Sequence, residues 1–190
     1  MASSAVQLCA RALIALGAQP IASFQETSPE AQVCRTLYGG LRDALLSAHP
    51  WSFATAQARL PRLTAQPVAD FAHAFQLPPD FLRALSAGTA TRGRGIAYRI
   101  AERRVHADVD QLVLTYLFRP READFPPFFD QALVSRLAAE FCLPITESTS
   151  RAEALGRLSE QAFQRARQID AQQETPAAIE DFPLIEARGR

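Results

Sequence analysis

The sequence contains no lysine, because all 20 of its basic residues are arginines. Chemistry that depends on a lysine amine is therefore excluded from these 190 residues, including a Schiff-base nucleophile, a pyridoxal phosphate anchor and the lysine of a phosphate-binding P-loop. The basic residues are balanced by 20 acidic ones, so the chain lacks the positive excess with which dedicated duplex-binding proteins neutralise phosphates. Free nucleic acid is therefore not the expected partner.

Cysteines and long apolar runs are also scarce. Cys9, Cys34 and Cys142 are odd in number and widely spaced, which disfavours a disulfide framework or a zinc knuckle and predicts buried free thiols. No apolar run approaches the ~18 residues that span a bilayer. Residues 1–17 have no basic start, and Arg11 interrupts their apolar stretch, unlike in a signal peptide. We therefore expect a cytoplasmic product without a membrane partner.

Motifs for catalysis, cofactors and metals are equally sparse. Residues 88–93 have the glycine spacing of a phosphate loop, but Arg94 and Gly95 stand where that motif needs Lys and Ser or Thr. The three histidines lack metal-ligand spacing, and no nucleophile elbow precedes a helix. Asp108 and Asp110 would point the same way on a strand, as an acid/base or cation-binding pair would, although Asp also favours turns. The sequence predicts no enzyme, no cofactor and no metal site.

Helical periodicity and capping signals predict two helices before residue 51 and two after residue 119. The residues that mark their boundaries are Ser4 with Gln7, Gly17, Ser28 with Pro29, Pro50, Pro144, and Ser150 with Glu153. The last helix is predicted to carry one apolar face, formed by Leu155, Leu158, Ala162, Ala166 and Ile169.

Between these helices, the period of apolar residues changes to that of strands, beginning at Trp51. The whole pattern predicts an α+β, mainly α fold. Its core is an antiparallel helical bundle of residues 1–50 and 120–171, and a small antiparallel β meander is inserted at residues 51–119. Residues 172–190 form an extended C-terminal tail. This tail is too apolar for a solvated linker and too short to fold alone, so we expect it to dock on a partner.

One segment of the β insertion is strongly basic. Five arginines stand against the single Glu102: Arg92, Arg94, Arg99, Arg103 and Arg104. Such a segment could contact a polyanion through its charge, or bind carboxylates of a neighbouring subunit bidentately. The sequence leaves both interpretations open.

Several sequence stretches, in a fixed order, carry a resemblance to a known family. They are residues 15–21 (ALGAQPI), 49–54 (HPWSFA), 74–83 (AFQLPPDFLR), 112–116 (LVLTY), 137–146 (LAAEFCLPIT) and 185–188 (IEAR). Together they resemble the tail tubular protein A family, the head-to-tail adaptors of short-tailed phages. The likeness extends over nearly the whole chain.

The resemblance implies a structural protein without catalytic activity. It implies a homo-oligomeric ring of about twelve copies, placed between the portal protein and a downstream tail or nozzle protein, with double-stranded DNA passing through without specific binding. The expected location is the head-tail interface of a virion, after synthesis in the bacterial host cytoplasm. The tail residues expected to dock on the portal are Ile179, Phe182, Leu184, Ile185 and Arg188. The alternative is a nucleic-acid-binding accessory protein that uses residues 92–104.

Overall fold

The computed structural model describes residues 3–173, and within that range it contains four helices and six strands. The helices are α1 (Ala5–Ala15), α2 (Pro29–Ala48), α3 (Pro127–Thr146) and α4 (Thr149–Asp170). The strands all lie between α2 and α3: β1 (Thr55–Leu60), β2 (His73–Gln76), β3 (Phe81–Gly88), β4 (Tyr98–Ala101), β5 (Arg104–Ala107) and β6 (Leu112–Phe118). Short 3₁₀ turns precede β1 and α3, at Ser52–Ala54 and Glu122–Asp124.

Local capping signals set the ends of the first two helices as predicted. The Ser4 hydroxyl accepts from the backbone of Gln7, and the Gln7 side chain accepts from the backbone of Ser4, which completes a capping box. Gly17 follows α1 in the left-handed conformation, with φ +70°. Ser28 caps α2, and Pro29 occupies its first turn.

The predicted boundary between the last two helices was wrong. Helix α3 continues through Pro144 and ends at Thr146, where Glu147 adopts a left-handed conformation with φ 55°. The N-cap of α4 is Ser148, whose hydroxyl accepts from the backbone N–H of Arg151. Ser150 cannot cap the helix because it already lies inside its first turn.

The six strands form two three-stranded antiparallel sheets. The central sheet has the order β1-β6-β3, with Thr55 opposite Leu117 and Leu60 opposite Leu112. The outer sheet has the order β2-β5-β4. Its β4-β5 hairpin turns at Glu102 and Arg103, both in the left-handed conformation.

The predicted helical bundle with an inserted meander is therefore wrong. The chain folds as a small α+β domain, in which neither sheet joins its strands in sequence order. Strand β3 accounts for much of the difference. Its register shifts twice, between Phe81 and Arg83 and between Ala84 and Ser86, so the strict alternation of a strand is missing from its sequence. Alternation also shows which residues share a face but not which strand lies beside them, so the pairing of β1 with β6 could not be predicted locally.

Two hydrophobic clusters hold the layers together. The first lies between the helices and the end of the central sheet that carries Leu82, Leu85 and Leu117. The second lies between the two sheets and includes Phe75, Val105, Leu112 and Leu114. The order of layers is therefore helices, central sheet, outer sheet.

Trp51 lies at the centre of the first cluster and is fully buried, as expected for a core residue. Its indole N–H donates to the Leu45 carbonyl at 3.1 Å. Its ring packs edge-on against Phe129 and Phe163, with centroids 5.2 and 5.8 Å away. Within residues 3–173, no helix combines the length and apolar character needed to cross a membrane.

Candidate functional site

The five arginines of the basic segment do not form one patch. Arg92 and Arg94 flank Gly93, in the loop between β3 and β4. The Gly93 carbonyl accepts from the hydroxyl of Ser86 at 2.8 Å and lies near Thr115, so this loop covers the face of the central sheet that also carries Leu117. Arg92 and Arg94 form no ion pair with any residue that the structure describes.

The other three arginines belong to the β4-β5 hairpin of the outer sheet, with Arg99 on β4, Arg103 at the turn and Arg104 on β5. Arg99 pairs with Asp70 at 2.6 Å and lies over the ring of Phe71. Arg104 approaches Glu102 at 3.8 Å. Arg99 and Arg104 are on the opposite side of the two-sheet sandwich from residues 92–94, since Val105 and Ala107 of the same hairpin face the inter-sheet cluster. The predicted set of five is therefore divided between two faces.

The two aspartates considered as an acid/base or cation-binding pair are in a loop rather than on a strand. Asp108 accepts from the backbone N–H of Ala72 at 2.7 Å, and Asp110 pairs with Arg62 at 2.9 Å. His73 Nε2 also lies 3.6 Å from Asp110. These contacts join the ends of the outer sheet, so the structure supports a local hydrogen-bonding role for both carboxylates.

Helix α4 forms one edge of the helical layer and leaves two of its large apolar side chains exposed. It packs mainly against α3, and its only buried residues are Ser159, Ala166 and Asp170. Leu158 is 56% exposed and Ile169 is 37% exposed, although both belong to its predicted apolar face. The sequence pattern located this face, but did not reveal that much of it stays uncovered.

Grooves run along both flanks of α4. On the flank toward α2, a groove of about 220 Å³ is lined by Leu41, Ala44 and Ala48 of α2 and by Glu160 and Phe163 of α4. On the other flank, a groove of about 400 Å³ lies between α3 and α4. We call these the α2–α4 groove and the α3–α4 groove.

The end of α4 is anchored by a buried carboxylate. Asp170 accepts from the hydroxyl of Ser52 at 2.7 Å and from its backbone N–H at 3.1 Å. His49 Nε2 lies 3.5 Å from the same carboxylate. Burial lowers the pKa of His49, and the charge of Arg167 adds to this effect, while Asp170 opposes it. Ser52 therefore bonds to the carboxylate and not to the histidine, which is not the order of a Ser-His-Asp triad.

A second polar network joins α2 to the segment after β6. Arg119 donates to Asp43 in a bidentate pair, with distances of 2.9 and 2.6 Å. Arg42 bridges Asp43 and Glu122 at 2.9 and 2.8 Å. Burial would raise the pKa of both carboxyls, but hydrogen bonds and charge interactions with the guanidinium groups outweigh it and lower both pKa values. Burial also raises the pKa of Tyr38, which donates to Glu122.

Asp130, in the first turn of α3, has fewer hydrogen-bond partners than the carboxylates of Asp170 and Asp43. Its Oδ2 accepts from the hydroxyl of Ser3 and lies 3.7 Å from Arg11, while its buried Oδ1 has no hydrogen-bond partner among the described residues. Burial raises the pKa of this carboxyl, although Ser3 and Arg11 act in the opposite direction. The group contributes to the packing of α1 against α3 rather than to an open site.

The prediction of buried free thiols is confirmed for Cys9, Cys34 and Cys142. A hydrogen bond to Cys34 raises the pKa of Cys9, and burial adds to this effect.

No cluster of three potential metal ligands occurs in the range 3–173. The predicted docking residues Ile179, Phe182, Leu184, Ile185 and Arg188 lie outside the described residues.

No family model matches the chain, and no curated protein matches it.

Proposed function

We propose that the chain is a structural head-to-tail adaptor of a phage-like particle. Copies of it would form a ring between the portal protein and the next tail or nozzle protein, around the channel through which DNA leaves. The order of the sequence stretches at residues 15–21, 49–54 and 74–83 and of those that follow supports this proposal. The role requires surfaces that bind other subunits, and it requires no catalysis.

The observation that carries the proposal is the open α2–α4 groove. Leu41 and Phe163 are only partly buried there, and Ala44 and Ala48 are exposed. Open apolar surface of this kind is typical of interfaces. In a closed ring, every copy uses one surface to bind a different surface of its neighbour. The α2–α4 groove is suited to receive such a neighbour, because apolar residues of α2 and Phe163 line it while Glu160 and Arg136 lie at its edge.

The test is assembly of the purified chain on its portal, observed by negative-stain electron microscopy. Ala44→Arg would fill the α2–α4 groove with a charged side chain, at an exposed position where the helix tolerates it. We expect this variant to keep its helical circular dichroism but to lose ring formation. Gln32→Arg, exposed on the same helix and outside the groove, is the matched control and should assemble normally. Equal assembly of both variants would remove the groove from the proposed interface.

Nucleic-acid binding remains the second candidate, and the lack of ion pairs at Arg92 and Arg94 favours it. Changing both to Ser tests it directly against the adaptor role. An adaptor should bind duplex DNA no more tightly than the ~10⁻⁴ to 10⁻⁶ M of non-specific contacts, with or without these arginines. A steep salt dependence that disappears in the double variant, with assembly intact, would favour the second candidate.

A further inference from the structure

The α3–α4 groove is lined by both apolar and polar side chains and has no partner among residues 3–173. Phe128 and Ser135 of α3 form one wall. The other wall is a continuous stripe of α4 formed by Leu158, Ala162, Arg165 and Ile169. Leu158 and Ile169 leave much of their surface exposed at its two ends, so the groove can accept apolar side chains along its length.

Charge distinguishes this groove from its neighbours. Arg165 is the only charged residue that lines it, and within the described chain this arginine forms no ion pair. In the α2–α4 groove Glu160 offsets the charge of Arg136, and on the surface beside Leu143 the same arginine stands against two acidic residues, Glu140 and Glu153. An occupant with apolar and acidic side chains is therefore accepted best between α3 and α4.

Residues 174–190 have this composition. Phe182 directly follows the acidic pair Glu180 and Asp181, and three more large apolar residues lie close by: Ile179, Leu184 and Ile185. The segment begins soon after α4 ends at Asp170, next to Ile169 at one end of the groove.

The length of the segment permits it to reach the whole groove. Leu158 and Ile169 are about 16 Å apart along a helix that rises 1.5 Å per residue. The residues between Asp170 and Ile179 can extend over roughly 30 Å. Because the segment is covalently attached at one end of the groove, its effective concentration there is high.

We propose that residues 174–190 bind in the α3–α4 groove of their own chain. Phe182 and its apolar neighbours contact Leu158 and Ile169, and the acidic pair lies toward Arg165. This contact is a property of the free chain and goes beyond the adaptor role. In a particle, it would have to open before the same segment could bind a portal.

Disulfide formation between introduced cysteines tests the proposal in the full-length chain. One variant combines Pro183→Cys with Gln161→Cys, which lines the α3–α4 groove. Its matched control combines Pro183→Cys with Glu160→Cys, which lines the α2–α4 groove. Both helix positions are exposed, and they differ by one residue in tether length, so the entropy of chain closure is the same for both. The native cysteines are buried and should not compete.

Under mild oxidation, we expect the Gln161 variant to form an intramolecular disulfide about tenfold faster than the Glu160 variant, as a contact of ~1.4 kcal/mol would produce. Mass spectrometry of proteolytic peptides identifies the bond. Equal rates, or a faster rate at Glu160→Cys, would overturn the proposal. A predominance of dimers linked between chains would also overturn it, because the segment would then bind a second copy.

Two further changes in the Gln161 variant test the chemistry of the contact. Arg165→Glu should slow disulfide formation about fivefold by turning an attraction into a repulsion, whereas Arg157→Glu, exposed on the same helix outside the groove, should not. Phe182→Ser should slow it more than Ala187→Ser does. Unchanged rates in both Arg165→Glu and Phe182→Ser would contradict the proposal.

Discussion

Helices α3 and α4 are neighbours of similar length that pack against each other, yet they are buried to very different extents. Helix α3 has 20 residues, of which nine are buried, including Phe129, Leu137 and Phe141. Helix α4 has 22 residues, and only three of them are buried. An apolar stripe alone therefore does not determine how much of a helix is covered.

The position of each helix in the layer explains the difference. Helix α3 contacts α1, α2 and α4, and Phe129 packs against Trp51 at the boundary with the central sheet. Helix α4 has α3 as its main neighbour, so one side of its apolar stripe faces α3 while Leu158 and Ile169 face solvent.

The largest effect is expected from truncating a leucine on α3. Leu137→Ala removes a fully buried side chain and leaves a cavity, so it should lower the free energy of unfolding by about 2–5 kcal/mol. Leu158→Ala makes the same chemical change on α4, where the side chain is 56% exposed, and should cost less than about 1 kcal/mol. Urea denaturation of both variants measures the difference. Equal losses would show that α4 is covered as well as α3.

An intermediate effect is expected at the two buried carboxylates. Asp170→Ala removes the acceptor for both the hydroxyl and the backbone N–H of Ser52, and should cost about 1–3 kcal/mol. Asp130→Ala should cost less, because one oxygen of that buried carboxylate has no partner. Thermal unfolding followed by circular dichroism compares them. If Asp130→Ala lowered the melting temperature more than Asp170→Ala, Asp170 would not be the carboxylate that contributes more to stability.

The smallest effect is expected from pH, with opposite signs for His49, beside the end of α4, and for Asp130 on α3. Folding lowers the pKa of His49 below its ordinary 6.5. Between the lowered pKa and 6.5, the unfolded chain therefore binds more protons than the folded chain. The free energy of unfolding should then fall as pH decreases through 6.5. His49→Gln should reduce this dependence. If the melting temperature of the wild type instead rose relative to that of His49→Gln as pH decreases through 6.5, the prediction for His49 would be contradicted.

Asp130 should act in the opposite direction, at lower pH. Its pKa is raised above 3.8 in the folded chain, so the charged form destabilises the fold at neutral pH. Relative to Asp130→Asn, the wild type should gain stability as pH falls through the raised pKa toward 3.8. Melting temperatures of both proteins over that range provide the measurement, and the comparison removes the contribution of Asp43 and Glu122, whose pKa values are lowered.

The parts of the fold that depend on neighbouring residues in the chain were predictable. The capping box at Ser4 and Gln7, the start of α2 at Pro29 and the buried stripe of α3 follow from local hydrogen bonding and from the helical period. Strand β6 was also recognisable, because Leu112, Leu114 and Tyr116 alternate without interruption. The bulged strand β3 was not, since its two register shifts break that alternation.

The candidate sites were less predictable, because they depend on contacts between distant residues. Sequence proximity suggested one basic patch at residues 92–104. The chain passes from the central to the outer sheet within this segment, so Arg92 and Arg94 lie on one side of the two-sheet sandwich and Arg99 and Arg104 on the other. For Asp108 and Asp110 the sequence favoured local hydrogen bonding in a turn over a reactive pair, but it could not name their partners, Ala72 and Arg62.

By itself, the sequence determined where α1 and α2 begin, which side of α4 is apolar and which lysine-dependent chemistries are absent. Only the tertiary structure decided that β1 pairs with β6, that the helices form a layer on a sheet, and that α4 lies at the edge of that layer. The physical reason is that periodicity reports which surface gains free energy on burial, whereas the neighbour that covers it is selected by packing over the whole chain.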